Sequence, residues 1–362
     1  MAYFDTDVLP RSTVSEQHIG GVARVPESSE IDVSEEDLLI SARTVIHSCL
    51  EVREHENVLI VTDTKTTEIA RAVYEASSEV TSRVLMMMMP ELEEQGIEPP
   101  SPVSDLMKRQ DVIFLLTTKS MTHTRARATA SREGARIASI PGVGVESFAK
   151  GGFTADHNAM STEISSMGSR LRRARKVRIT SSLGTDLHFE AGSRWILEDT
   201  GICTRPGQVT NLPAGRVFVM PKEGTAQGRL ILDGSWEGNE LEKPLQIVIR
   251  DGLLSSATGD PISADIESEF ELASEEMRSG RGHLVRTFSE FSFGMNPRAK
   301  RGLGLLEDQC WRGGAMFAFG NNVGLGGSAN VTTNVRGLLI KPTIEIDGRA
   351  LVTDGKYTPR SR

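Results

Sequence analysis

Apolar positions along the chain fall into two textures. From Glu35 to Val52, the residues Leu38, Leu39, Ala42, Val45, Ile46, Cys49 and Leu50 recur at helical spacing, which predicts an amphipathic helix. The next apolar residues come as short unbroken runs, Val58 to Val61, Val84 to Met89 and Val112 to Leu116. Helical stretches over 66–78 and 103–109 separate these runs, and another over 126–132 leads into a fourth run at 137–140. Strand and helix in alternation, with strands apolar throughout, predict a parallel sheet buried on both faces. Met86 to Met89 belong to the second run. Neighbours on a strand point to opposite faces, so these methionines cannot converge on one soft metal ion and read as core filling. Gly142-Val143-Gly144 falls at a strand end but lacks the spaced glycines of a dinucleotide fingerprint.

A helix is predicted over 156–174, ending in the basic cluster Arg170, Arg172, Arg173, Arg175 and Lys176, where cations suit the negative end of the helix dipole. Beyond Lys176 the pattern changes to short strands at 177–180, 187–190, 217–220, 229–232 and 245–250. Turns at Gly184-Thr185-Asp186, Asp233-Gly234 and Asp251-Gly252 punctuate them, with one helix at about 264–278. The expected fold class is α/β: a polar lead-in over 1–34, a parallel-sheet α/β domain over 35–155, and a β-rich α+β domain over 156–362.

Composition narrows the function classes. The chain has 362 residues and a formal net charge of -8, with acids and bases interspersed, so no broad basic surface is offered to nucleic acid. No apolar run approaches the ~20 residues of a membrane span, and the polar N-terminus lacks a secretory signal, so a cytoplasmic location is expected. Three widely spaced cysteines, Cys49, Cys203 and Cys310, form neither a disulfide framework nor a thiolate cluster. The seven histidines are scattered without metal-motif spacing.

The second half carries ordered blocks of a different kind. Lys176-Val177-Arg178-Ile179-Thr180 and Gly184-Thr185-Asp186-Leu187 are followed by Asn211-Leu212-Pro213-Ala214-Gly215, then by 221–228 and Asp233-Gly234-Ser235. Glu290-Phe291-Ser292-Phe293-Gly294-Met295-Asn296-Pro297, Leu306-Glu307-Asp308, Ala318-Phe319-Gly320-Asn321-Asn322, Gly326-Gly327 and Lys341-Pro342-Thr343 complete the set. From about Asp156 to the C-terminus this order resembles the aminopeptidase T-like proteins. That family contains metal-dependent aminopeptidases and a 2,5-dihydroxypyridine ring-cleaving dioxygenase with a mononuclear iron. The resemblance implies a metal site and a homo-oligomer.

Set against the resembled ligand positions, this chain differs. A ligand glutamate falls at Arg216, a histidine at Met316, and a histidine-x-aspartate at Asn334 and Arg336, while a second glutamate is kept at Glu290. Arginine cannot coordinate a cation, so no metal and no cofactor are expected. Arg216, Glu290 and Arg336 together carry one positive charge, the same as the resembled site with its three carboxylates and two divalent ions. One reading is a pocket for a small anionic or amide-like substrate, with Glu290 as the catalytic base or orienting group and Arg216, Arg336, Asn334 and Arg194 binding the substrate. The other is an Arg-Glu-Arg bridge that only fills space. Three function classes stay open: a metal-independent divergent enzyme, a non-catalytic relative that binds a ligand or partner, and a true metalloenzyme. Trp311 is the stacking candidate, and Cys310 is either a nucleophile or a buried thiol.

Overall fold

The computed structural model describes residues 32–277 and 280–358, the side chains of 192–196 excepted. The lead-in expected over 1–34 therefore lies almost wholly outside the described residues. In chain order the first half runs α1 (Glu35–Thr44), β1 (Val58–Thr62), α2 (Thr67–Ser78), β2 (Val84–Met88), α3 (Ser101–Met107), β3 (Val112–Leu116), α4 (Arg125–Arg132), β4 (Arg136–Ser139), α5 (Val145–Lys150) and α6 (His157–Leu171). Then follow β5 (Lys176–Thr180), β6 (Asp186–Asp199), β7 (Val209–Asn211), β8 (Arg216–Pro221), β9 (Gln227–Leu232), β10 (Ser235–Trp236), β11 (Asn239–Glu240), β12 (Leu245–Arg250) and β13 (Leu253–Thr258). The chain ends with α7 (Ser263–Glu276), β14 (Phe288–Gly294), α8 (Leu305–Cys310), β15 (Gly314–Gly320), β16 (Asn334–Ile340), β17 (Thr343–Ile346), β18 (Arg349–Thr353) and β19 (Lys356–Tyr357).

The fold is α/β, as the pattern predicts, with a parallel sheet in the first half and a large antiparallel sheet in the second. Parallel strands in the order β2-β1-β3-β4-β7 form the first sheet. Alternate side chains of its central strands feed two cores. Val58, Ile60, Val112, Phe114 and Leu116 meet the α1 and α2 side, while Leu59, Val61, Ile113 and Leu115 meet the α3 and α4 side. That two-sided burial is why β1 and β3 are apolar at every position.

Three features depart from the expectation. The first helix extends past Thr44 only as a π-helical turn over Val45–Cys49, closed by Leu50 N donating to Val45 O at 3.1 Å. β2 lies at the edge of its sheet, and Met86 and Met88 are 40% and 52% exposed, so of the four methionines Met89 fills core, Met87 packs half-buried against it, and the other two do not. β7, from beyond α6 and β6, adds to the parallel sheet beside β4.

The antiparallel sheet is built around β16-β15-β14-β8-β6, and the long β6 continues to pair β5 and β9. One face of its centre is core: Val217, Val219, Phe291, Phe293, Phe317, Phe319, Val335 and Leu339. Strand periodicity puts the intervening residues, among them Arg216, Phe218, Glu290, Ser292, Met316, Ala318 and Arg336, on the opposite face. Asn296 and Glu307 join the two halves of the fold. Asn296 Nδ2 donates to the carbonyls of Gly152 and Ala214 at 3.0 and 2.7 Å. Glu307 accepts from Ser147 Oγ at 2.8 Å, Gly152 N at 2.9 Å and Lys300 N at 2.8 Å. No helix among the described residues is long and apolar enough to cross a membrane.

Candidate functional site

Sheet register brings the resembled ligand positions onto one face. Glu290 of β14 pairs with Ala318 of β15, which pairs in turn with Arg336 of β16. With strands about 4.8 Å apart, the Glu290 and Arg336 backbones lie roughly 10 Å from each other across the small Ala318. Met316 occupies the neighbouring row, buried, and Asn334 lies two residues along β16 on the same face, exposed.

Arg216 starts β8 opposite both Gly294 and Asp199. Its guanidinium carbon stands 4.1 Å from the centroid of Phe218, which pairs with Ser292. The side chain thus lies along the strand face toward Glu290. Arg216 Nη1 is 3.7 Å from Glu290 Oε1, and Nε is 3.3 Å from Asp199 Oδ2. Ser292 Oγ adds a 3.2 Å hydrogen bond to Glu290 Oε1. Arg216 and Glu290 retain only 8% and 6% exposure, so this is a buried cluster, not a surface ion pair. Burial pushes the Asp199 carboxyl above the ordinary carboxylate range, against the opposing pull of Arg216.

Asp199 was not foreseen from sequence, because only the β6 to β8 register places it beside Arg216. The observed grouping is Asp199-Arg216-Glu290, and the charged neighbours of Arg336 are others. Glu237 Oε1 accepts from Arg336 N at 2.5 Å, and burial raises the Glu237 carboxyl while the Arg336 charge opposes that rise. On the other side stands His123, in the loop before α4 at the C-terminal end of the parallel sheet. Burial first, then Arg127 and Arg336, lower its pKa below the ordinary histidine value, although part of the ring reaches solvent. Arg127 Nε donates to Thr122 O at 2.6 Å, and Thr122 Oγ1 donates to Asn211 Oδ1 of β7 at 3.2 Å. His123 and Arg127 are therefore additions from the first half of the chain. Sequence offered only that the histidines are scattered without metal-motif spacing.

Two guanidinium nitrogens here, Arg216 Nη1 and Arg336 Nε, are buried without a hydrogen-bond acceptor. Asn321 and Asn322 shape their own loop instead. Asn321 Nδ2 donates to Val331 O at 2.6 Å, and Asn322 bonds Glu223 Oε1 at 2.9 Å and Ala329 N at 2.9 Å. Cys310 donates to Pro213 O at 3.1 Å, and burial together with Asp199 pushes its thiol far up, which favours the buried-thiol reading. Trp311 covers Gly314 at the far end of β15. Arg194 lies in β6, and its side chain is outside the described residues. Among the described residues no three His, Cys, Asp or Glu side chains are grouped as a metal would need.

Comparison with known proteins gives this geometry its family. The family model described as NicX, 2,5-dihydroxypyridine 5,6-dioxygenase, matches residues 37–359. The chain belongs to that family. A 2,5-dihydroxypyridine 5,6-dioxygenase of Pseudomonas putida KT2440 is 24% identical over 198 residues, covering 51% of this chain and 55% of the relative. The chain thus spans about half the length of the curated relative it matches. The solved 2,5-dihydroxypyridine dioxygenase of Pseudomonas putida KT2440 superposes with a TM-score of 0.75 at 18% identity, over 91% of this chain and 99% of that one. Wild-type AmpT of Thermus thermophilus follows with a TM-score of 0.66 at 12% identity, over 90% and 100%. These superpositions show a common fold. They also place the aminopeptidase T-like resemblance: this NicX-family chain shares its architecture with AmpT.

Proposed function

We propose that this NicX-family protein binds, and with Glu290 transforms, a small anionic or amide-like substrate without a metal at the position where the resembled proteins hold theirs. The observation that carries this reading is the buried Arg336 Nε, which has no acceptor, on the face that holds Glu290, beside an Arg216 Nη1 whose nearest carboxylate oxygen, Glu290 Oε1, lies at 3.7 Å, beyond hydrogen-bond distance. Buried donors without acceptors cost about 1–3 kcal/mol each, and carboxylate oxygens of a ligand would satisfy them. An iron or zinc ion does not fit the residues present. Met316 and Asn334 offer a thioether and a neutral amide, and the two carboxylates, Asp199 and Glu290, are both engaged by Arg216.

In this reading Arg336, whose charge reaches His123, holds the ligand carboxylate, and Asn334 binds beside it on the same face of β16. Glu290, oriented by Ser292 and Arg216, accepts a proton or hydrogen bond from the ligand's N–H or O–H. His123, held below the ordinary histidine pKa by burial and by Arg127 and Arg336, supplies a second proton acceptor.

The test is thermal stabilisation by pyridine carboxylates, dicarboxylates and acidic peptides, with metal content measured on the same preparation. A ligand at a hundredfold its Kd adds about 2.7 kcal/mol to folding stability. A rise in Tm with one of these ligands, abolished in Arg336→Met, is the expected result. Stoichiometric iron, zinc, cobalt or manganese in the purified protein overturns the metal-free reading, and the same ligand response in Arg336→Met overturns the anion site.

A further inference from the structure

Among the described residues, four hairpins of the antiparallel half close on two residues with positive φ, and three of them use Asp-Gly. Asp251-Gly252 joins β12 to β13, Asp347-Gly348 joins β17 to β18, and Asp354-Gly355 joins β18 to β19, with aspartate φ of 50°, 49° and 49°. Aspartate tolerates this left-handed position because its short polar side chain can bond the local backbone. The fourth turn, between β10 and β11, is Glu237-Gly238, with φ of 50° and 79°. Glutamate, one methylene longer, is not among the residues this turn favours.

The longer arm reaches β16. Pairing of β10 with β16 is confined to Trp236 and Gly337, and β10 ends there. The next residue of β16 toward the site is Arg336, and Glu237 takes both of its backbone groups. Glu237 N donates to Arg336 O at 2.8 Å, and Glu237 Oε1 accepts from Arg336 N at 2.5 Å. An amide whose partner strand has ended is thus given a carboxylate in place of a carbonyl. On the other side Arg336 pairs with Ala318 of β15, so its backbone is fixed from both directions.

We infer that Glu237 is a positioning residue, which sets the β16 backbone so that the Arg336 guanidinium, with its buried and acceptorless Nε, is held where a ligand carboxylate meets it. This role rests on the reading that Arg336 holds such a carboxylate. Glu237 acts through Arg336 and not on the ligand. A residue kept in a disfavoured backbone conformation persists where its surroundings use it, and here the use is reach. An arginine held in place before the ligand arrives loses little freedom on binding, which is how a preorganised site gains affinity.

Substitutions in the full chain separate positioning from turn formation. Glu237→Asp and Glu237→Asn introduce better residues for the turn but fall one methylene short of Arg336 N, whereas Glu237→Gln keeps both the reach and an acceptor oxygen. Hydrogen exchange at the Arg336 amide is expected to be slow in the wild type and in Glu237→Gln, and fast in the two short variants, all four melting cooperatively. In calorimetric titrations with pyridine-4-carboxylate and with succinate, the short variants should bind on the order of tenfold more weakly, and Glu237→Gln should restore the affinity. A residue that merely made the turn would give the opposite order, with Glu237→Asn binding at least as well as the wild type. Wild-type affinity in both short variants, binding by Glu237→Gln as weak as theirs, or fast exchange of the Arg336 amide in the wild type overturns the positioning role and leaves the anion site standing. If neither acid binds the wild type, the anion site itself falls, and the positioning role with it.

Discussion

His123 and Arg336 come from opposite halves of the chain, yet one charge biases the other. A depressed folded pKa means that the unfolded state binds the proton more readily. The stability contributed by neutral His123 is therefore present above the ordinary histidine value and is lost as pH falls through the folded one. Arg336→Met is expected to raise the His123 midpoint and Arg127→Met to raise it further, followed by NMR of the imidazole nitrogens. An unmoved midpoint in both variants would separate these groups. Arg216 makes a stability prediction of its own. With Arg216→Ala, Asp199 and Glu290 stay buried without their cation, a loss of roughly 3–5 kcal/mol in urea unfolding. Breaking an exposed pair such as Lys222 with Glu190 should leave urea unfolding nearly unchanged, because solvent screens it. Sequence made Arg216, Glu290 and Arg336 legible because ordered blocks carry them. Asp199 and His123 stayed hidden, since each lies in a segment whose own pattern is ordinary and reaches the site only through strand register or through the docking of the two halves.

At the scale of elements, β16 must pass close under its neighbours. A Cβ on Gly337 would clash with Leu232 Cδ1 and stand 2.9 Å from Trp236 Cε3. Gly337→Ala therefore forces both side chains aside, at about 1–3 kcal/mol in urea unfolding. Because Arg336 is the adjacent residue, the same variant should also weaken stabilisation by ligand; a full ligand response would show that β16 absorbs the strain without moving Arg336. Helices and parallel strands were readable from period alone, as β1, β3, α2 and α4 show to within a residue or two. The status of β2 was not, because an apolar run looks identical at the centre and at the edge of a sheet. Strands β14 and β15 were visible only as motif blocks, since both of their faces are buried and no alternation marks them as half-exposed strands.

Across the whole molecule, one carboxylate links both halves. Glu307→Ala leaves Ser147 Oγ and the amides of Gly152 and Lys300 without their acceptor, at about 1–3 kcal/mol each. A large drop in Tm and faster amide exchange at Gly152 are expected, and exchange at the wild-type rate would show that the junction rests on Asn296 instead. A further link is β7, which leaves the second half of the sequence to complete the sheet of the first. The polypeptide is therefore laced rather than divided. A cut in the stretch after α6 would strip β4 of its outer neighbour and strand Val209–Asn211 on the wrong piece. Fragments ending and beginning there should be poorly soluble apart and should reassemble when co-expressed, as the halves of a split reporter do.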